Sequence, residues 1–235
     1  MPAISAPPNL LVAAHGTRSA AGSATTAALV AAVAAARPDV AVSLCFLDVA
    51  TPRLADALGT DPPPTVLVPL LLSTGFHVLE DIPAVVGRRP QVQVARHLGP
   101  DPLVVDVLVD RLDAARASGA VATTVLVGAG SSQPGAAEDL TRAGGQLAAR
   151  LGRAVSVLTL GEDVRARLAG APAPVEVATY LLAEGQFVDA LRAAAAGVAT
   201  VADPIGVHPA LVTLLLARYD AALGEPGRAP RRIRR

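Results

Sequence analysis

The sequence predicts an α/β protein made of two tandem, similar parallel-sheet units, with flavodoxin-like βαβ topology, that face a central cleft. First, short runs rich in Val and Leu alternate with longer segments rich in Ala, Leu and Arg, as is typical of βαβ units. Second, residues 68–80 align with residues 178–190, and residues 98–102 align with residues 205–209. The chain has 235 residues, 52% of them hydrophobic, and is long enough to bury such a core.

Each unit is predicted to contain four strands separated by helices. The predicted strands are residues 10–14, 40–47, 65–71, 92–97, 124–128, 155–160, 175–180 and 198–202. The predicted long helices are residues 23–37, 103–117 and 135–151, which end at Pro38, at Ser118 and Gly119, and at Gly152.

The repeat divides the chain into an N-terminal half, residues 1–119, a C-terminal half, residues 120–223, and an Arg-rich tail, residues 224–235. The alignment places His15 opposite Gly130 and His77 opposite Phe187, so the second half is predicted to lack both candidate ligands. We interpret the tail as a frayed, solvated end, because arginines without interleaved aromatic residues are a weak signal for nucleic-acid binding.

Composition excludes several classes of partner. The chain has 20 basic and 20 acidic residues, and this balance predicts no nucleic-acid footprint. It shows no secretory signal and no apolar run of about 18 residues, so we expect a soluble cytoplasmic protein that does not bind membranes. The single Cys45 excludes an internal disulfide and a thiolate metal cage, and we predict a buried strand thiol.

The candidate site begins with two histidines that each follow an apolar strand. His15 comes directly after the first predicted strand, and His77 follows the third. The carboxyl ends of parallel strands are where α/β proteins assemble their sites, and neutral imidazole is a common metal ligand. Together they predict a metal site. Asp48, after the second strand, is a candidate carboxylate for it, and the alternative interpretation of Asp48 is a helix N-cap.

The N-terminal half resembles the class II tetrapyrrole chelatases, specifically the sirohydrochlorin chelatase family of the CbiX and SirB types, in its long, two-copy form. The resemblance rests on residues 15–18, residues 46–52, and residues 68–83. It implies a chelatase-like fold and a lyase-class enzyme that inserts a divalent metal into sirohydrochlorin without ATP or an organic cofactor. It also implies that His15, His77 and Asp48 are catalytic and that both histidines bind the metal. The family often has Glu where this chain has Asp48.

The chemistry of these residue types agrees with that role. Metal insertion requires loss of two pyrrole N–H protons and removal of water from the metal. Neutral imidazole binds Fe²⁺, Co²⁺ and Ni²⁺ and also accepts protons. The residues leave open whether the metal is Fe²⁺, for sirohaem, or Co²⁺, for cobalamin, with Ni²⁺ as a third candidate.

Sirohydrochlorin is rich in carboxylates, so its pocket needs hydrogen-bond donors and an apolar surface. Arg18 is predicted to pair with a carboxylate, although a surface salt bridge is the alternative. Ser73, Thr74 and the amide of Gly75 are predicted to bind an anion, and Phe76 is predicted to contact the macrocycle.

Two other functions stay open at this point. One is a non-enzymatic carrier of metal or tetrapyrrole that uses the same ligands. The other is a nucleotide-binding protein that uses the Gly-rich residues 128–135, although these lack the P-loop Lys and the full dinucleotide fingerprint. We expect a monomer or a weak homodimer. His97 and His208 occupy similar places in the repeat, and we predict a turn or capping role for both.

Overall fold

Two four-stranded parallel sheets with the same strand order form the frame of the protein. The computed structural model describes residues 6–87, 89–116 and 121–224. The strands are β1 Asn9–Ala14, β2 Val42–Phe46, β3 Thr65–Leu70, β4 Val92–Val94, β5 Thr123–Gly128, β6 Val155–Thr159, β7 Val175–Tyr180 and β8 Thr200–Val201. The first sheet has the order β2-β1-β3-β4, and the second has the order β6-β5-β7-β8. The prediction of two similar parallel-sheet units is confirmed.

Helices follow the strands in both units. They are α1 Ala20–Ala36, α2 Leu54–Leu58, a π-helical turn His77–Asp81, α3 Ile82–Val86, α4 Pro102–Ala115, α5 Pro134–Leu151, α6 Val164–Ala169, α7 Gln186–Ala195 and α8 Pro209–Gly224. Helix α1 begins earlier than predicted because Ser19 caps it, its Oγ accepting from the Gly22 amide at 3.2 Å. The edge strands β4 and β8 are shorter than predicted, with three and two residues.

Strand register corrects the sequence alignment at one turn. Asn9 pairs with Thr65 in the first sheet, and Thr123 pairs with Val175 in the second. The residue that follows β5, and so corresponds to His15, is therefore Ala129 and not Gly130. Gly130 corresponds instead to Gly16, and both have positive φ, 84° and 98°. His77 and Phe187 keep the same spacing from the ends of β3 and β7.

The two halves exchange their last helices. Helix α4 packs against β7 of the second sheet, and α8 packs against β3 of the first. Reciprocal arginines reinforce the exchange. Arg111 on α4 donates to the carbonyl of Ile205 at 2.8 Å, and Arg218 on α8 donates to the carbonyl of His97 at 3.1 Å. One hydrophobic core therefore runs through both halves.

Three sequence predictions fall partly or wholly outside the described residues: the division between residues 119 and 120, the Arg-rich tail beyond residue 224, and the extreme N-terminus, residues 1–5. Among the helices that the structure describes, none combines the length and apolar character needed to cross a membrane. Cys45 is a free, fully buried thiol on β2, as predicted, and its burial raises the pKa of that thiol to about 12.

Candidate active site

The structure brings the two predicted histidines into contact. The ring centroids of His15 and His77 are 4.6 Å apart, with the ring planes at 81°. His15 directly follows β1, and His77 begins the π-helical turn after β3. These strands are neighbours in a parallel sheet, so their carboxyl ends lie at the same edge.

The turn that carries His15 depends on glycine. Gly16 has φ of 98°, and a Cβ there would lie 2.1 Å from the backbone oxygen of Asp48. The Asp48 amide donates to the His15 carbonyl at 2.8 Å, which joins the turns after β1 and β2. The imidazole itself is exposed, and its Nδ1 lies 3.1 Å from the carbonyl oxygen of Gly16. A carbonyl only accepts, so Nδ1 carries the hydrogen, and Nε2 of neutral His15 is left with its lone pair.

His77 is oriented by a carboxylate one helical turn away. Its Nδ1 lies 2.5 Å from Oδ2 of Asp81, and its side chain is 22% exposed. With Asp81 ionised, Nδ1 carries the hydrogen and Nε2 of neutral His77 is free to bind a metal or accept a proton. The segment is π-helical, with the Ile82 amide bonded to the His77 carbonyl, and such turns are frequent at functional sites.

Asp81 is the site residue that the sequence reasoning missed. It lies within residues 68–83, which carried the family resemblance, but no role was predicted for it. The usable signal was its spacing of four from His77, because residues four apart share a helix face.

Asp48 lies at the same sheet edge but does not bind either imidazole. Its Oδ1 accepts from the Val49 amide at 2.7 Å and from Nη1 of Arg53 at 3.1 Å. The Val49 hydrogen bond, and then the Arg53 guanidinium, hold the pKa of the Asp48 carboxyl below its ordinary value of 3.8. Helix α2 begins at Leu54 with Arg53 in the cap position, so the alternative interpretation of Asp48 as a helix cap is wrong.

Arg18 and Phe76 are both open to solvent. Arg18 forms no hydrogen bond or ion pair with the part of the chain that the structure describes, so the surface salt bridge considered above is not formed. The Phe76 side chain is 53% exposed, and its ring centroid lies 6.4 Å from that of His77. An exposed aromatic ring therefore lies beside His77, and an exposed guanidinium lies three residues after His15 in the sequence.

The loop before His77 differs from the sequence prediction. The Gly75 amide donates to the Ser73 carbonyl at 2.9 Å, so it is not free to bind an anion. Thr74 is also engaged, because its amide and its hydroxyl both bind Oδ2 of Asp139, at 2.8 and 2.7 Å. All three donors are therefore satisfied within the protein, which corrects the predicted role of Thr74 and Gly75 as substrate donors.

The remaining histidines have different roles. Nδ1 of His208 accepts from the Ala210 amide at 3.2 Å at the start of α8, which confirms its predicted capping role. His97 does not cap a helix. It is buried, and its Nε2 lies 3.0 Å from Oγ1 of Thr74, so it belongs to the loop before His77.

Within residues 6–87, 89–116 and 121–224, no group of three or more His, Cys, Asp or Glu side chains is placed to hold a metal ion. The histidine pair has two free ring nitrogens that could act as ligands. A metal that is passed on to another molecule needs a site that leaves coordination positions open.

Comparison with known proteins identifies a family match and similar folds. Residues 9–115 match the CbiX family model. Among solved structures, SirB from Bacillus subtilis with Fe³⁺ is 23% identical, with a TM-score of 0.76 over 92% of this chain and 95% of that chain. SirB from Bacillus subtilis subspecies spizizenii in complex with cobalt is 23% identical, with a TM-score of 0.74 over 94% and 97%.

A third structure is CbiX, described as the terminal enzyme for biosynthesis of siroheme in denitrifying bacteria. It is 22% identical, with a TM-score of 0.68 over 91% of this chain and 99% of that chain. Comparison with curated proteins gave no significant match. Residues 9–115 therefore carry the sequence pattern of the CbiX family, and the chain as a whole has the fold of the sirohydrochlorin chelatases SirB and CbiX.

Proposed function

We propose that this protein inserts a divalent metal ion into sirohydrochlorin without ATP or an organic cofactor. The metal substrate is Fe²⁺, for sirohaem, or Co²⁺, for cobalamin, with Ni²⁺ as a third candidate. The observation that carries the proposal is the contact between the His15 and His77 rings, whose centroids are 4.6 Å apart. The Nδ1 atom of each ring faces an oxygen acceptor. Both Nε2 atoms of the neutral rings are then available for chemistry.

The histidine pair holds the metal before transfer. Imidazole nitrogen is a suitable ligand for all three candidate ions. Because only these two side chains are proposed as ligands, the other coordination positions stay open to water and then to the pyrrole nitrogens. The protein gives up few bonds when the ion leaves, which favours its transfer.

Proton removal is the second task of the pair. Each pyrrole N–H must lose its proton as the metal enters the macrocycle. An imidazole can accept that proton on Nε2 once the metal has left that nitrogen. When His77 becomes an imidazolium, the Asp81 carboxylate beside Nδ1 compensates the new positive charge. Asp48 is proposed to compensate the positive charge of a His15 imidazolium by electrostatic attraction without a hydrogen bond. Its Oδ2 makes no hydrogen bond with the described residues.

Arg18, Ser73 and Phe76 are proposed to hold the macrocycle. Arg18 has no acidic partner among the described residues, and bidentate pairing with a carboxylate suits its guanidinium. The exposed ring of Phe76 beside His77 offers an apolar surface to the macrocycle face. In this proposal Thr74 and Gly75 shape the loop and do not donate to substrate.

The test is anaerobic incubation of the protein with sirohydrochlorin and Fe²⁺, Co²⁺ or Ni²⁺, without ATP, followed by absorbance. We expect initial rates well above those of the metal alone, with one ion preferred. Binding of metal or tetrapyrrole with no increase in the insertion rate would contradict the proposal and support the carrier function instead.

A further inference from the structure

The second half has no counterpart of His15 or His77, but it binds the segment that leads to His77 through three hydrogen bonds. The hydroxyl of Tyr180, at the end of β7, donates to the Leu72 carbonyl at 3.0 Å. Two residues further on, Oδ2 of Asp139 on α5 accepts from the amide and from the hydroxyl of Thr74. Thr74 is three residues before His77.

Both partners from the second half are buried. Tyr180 is 4% exposed and Asp139 is 6% exposed. Burying a carboxylate is costly unless hydrogen bonds compensate it. The compensation comes from Thr74 and from one ion pair at 3.1 Å with Arg142, whose side chain is 56% exposed. Asp139 is thus committed to the loop before His77.

His97 completes this cluster from the other side. The Thr74 hydroxyl has one hydrogen and donates it to Asp139, so Nε2 of His97 must donate to Oγ1 of Thr74 at 3.0 Å. Thr74 is then held by three hydrogen bonds, two from the second half and one from the first. A loop held in this way has little freedom to move away from the sheet edge.

We propose that Asp139 is a positioning residue, which acts through Thr74 to hold His77 against His15. The inference rests on the proposed function and assigns a task to the second half, which is to fix the geometry of the pair His15 and His77. A displacement of about 1 Å in a catalytic group can cost about 100-fold in rate. The Asp139–Thr74 contact is therefore expected to control turnover and not substrate affinity.

Two pairs of variants test this inference. Thr74→Val replaces the hydroxyl with a methyl group against the Asp139 carboxylate, whereas Thr74→Ser keeps the hydroxyl. Asp139→Ala removes the acceptor of both bonds. The matched control is Thr141→Val on α5, because the Thr141 hydroxyl is exposed and, among the described residues, bonds only to the Ala137 carbonyl of its own helix. Circular dichroism and thermal unfolding establish that each variant folds.

The first readout does not depend on activity. The chain has four histidines, so ring resonances can be assigned by single substitutions, and a nuclear Overhauser effect between the rings reports their contact. We expect this effect in the wild-type protein, Thr74→Ser and Thr141→Val, and its loss in Thr74→Val and Asp139→Ala. If Asp139→Ala does not fold, the two Thr74 variants carry the test.

The second readout is steady-state metal insertion. We expect kcat to fall about 10- to 100-fold in Thr74→Val, with the KM for sirohydrochlorin changed by less than about threefold. A raised KM at unchanged kcat, or an unchanged ring contact in Thr74→Val, would overturn the inference. If the wild-type protein has no insertion activity but the ring contact is lost in Thr74→Val, the proposed function fails and the positioning role stands.

Discussion

The hydrogen bond between His77 and Asp81 gives a prediction about turnover. A hydrogen bond to a charged group contributes about 1.5–3 kcal/mol, which corresponds to about 10- to 150-fold in rate if the bond acts only in the transition state. The Asp81 side chain is 37% exposed, so water weakens the interaction and the lower part of that range applies. We expect Asp81→Asn to lower kcat about 10- to 30-fold.

The assay is the initial rate of metal insertion at saturating sirohydrochlorin, followed by absorbance under anaerobic conditions. Glu80→Gln is the matched control, because Glu80 is an exposed carboxylate in the same π-helical turn and has no hydrogen-bond partner among the described residues. The reasoning is refuted if Asp81→Asn turns over at the wild-type rate, or if Glu80→Gln loses as much activity.

Three further predictions concern stability and reactivity. Gly16→Ala should destabilise the protein by about 2–5 kcal/mol in urea unfolding, because it combines positive φ with a backbone clash. Gly152→Ala is the matched control, with left-handed φ of 67° and ψ of 24° but open space, and it should cost about 1–2 kcal/mol. Equal losses in the two variants would contradict this prediction. Burial lowers the pKa of His97 below 6.5, so the unfolded chain binds a proton that the folded protein does not, and stability should fall as pH drops below about 6.5. That part of the pH dependence should vanish in His97→Gln. The Cys45 thiol should resist a thiol reagent at pH 8 until the protein is unfolded, and rapid labelling of the native protein would show that it is accessible.

The local pattern of hydrophobic residues in the sequence predicted most of the fold. Strands and helices follow from hydrophobic periodicity, and the equal spacing of the two halves predicted the repeat. The exchange of α4 and α8 between the sheets was not predicted, because both helices are apolar enough to pack on either sheet. The one-residue shift at Gly130 arose because turn residues carry no periodic signal, whereas φ at Gly16 and Gly130 identifies the equivalent positions.

The sequence predicted those site residues whose neighbours are determined by their position in the sheet. His15 and His77 follow adjacent strands, and the sheet edge brings them together. Hydrogen-bond partners that depend on the conformation of a loop could not be predicted in this way. Thr74 binds Asp139, which is 65 residues away in the sequence, and Asp48 turns toward Arg53. Such contacts depend on how the halves pack and how a single turn bends.

The central claim is that His15 and His77 act together in metal insertion, and a double-mutant cycle tests it most directly. Loss of a proton acceptor typically costs about 10²- to 10⁴-fold in rate. We expect His15→Ala and His77→Ala each to lower the insertion rate by about 100-fold or more. The insertion rate of the double variant should be less than about tenfold below that of the less active single variant. Losses that multiply fully in the double variant, or a single variant with wild-type turnover, would contradict the account.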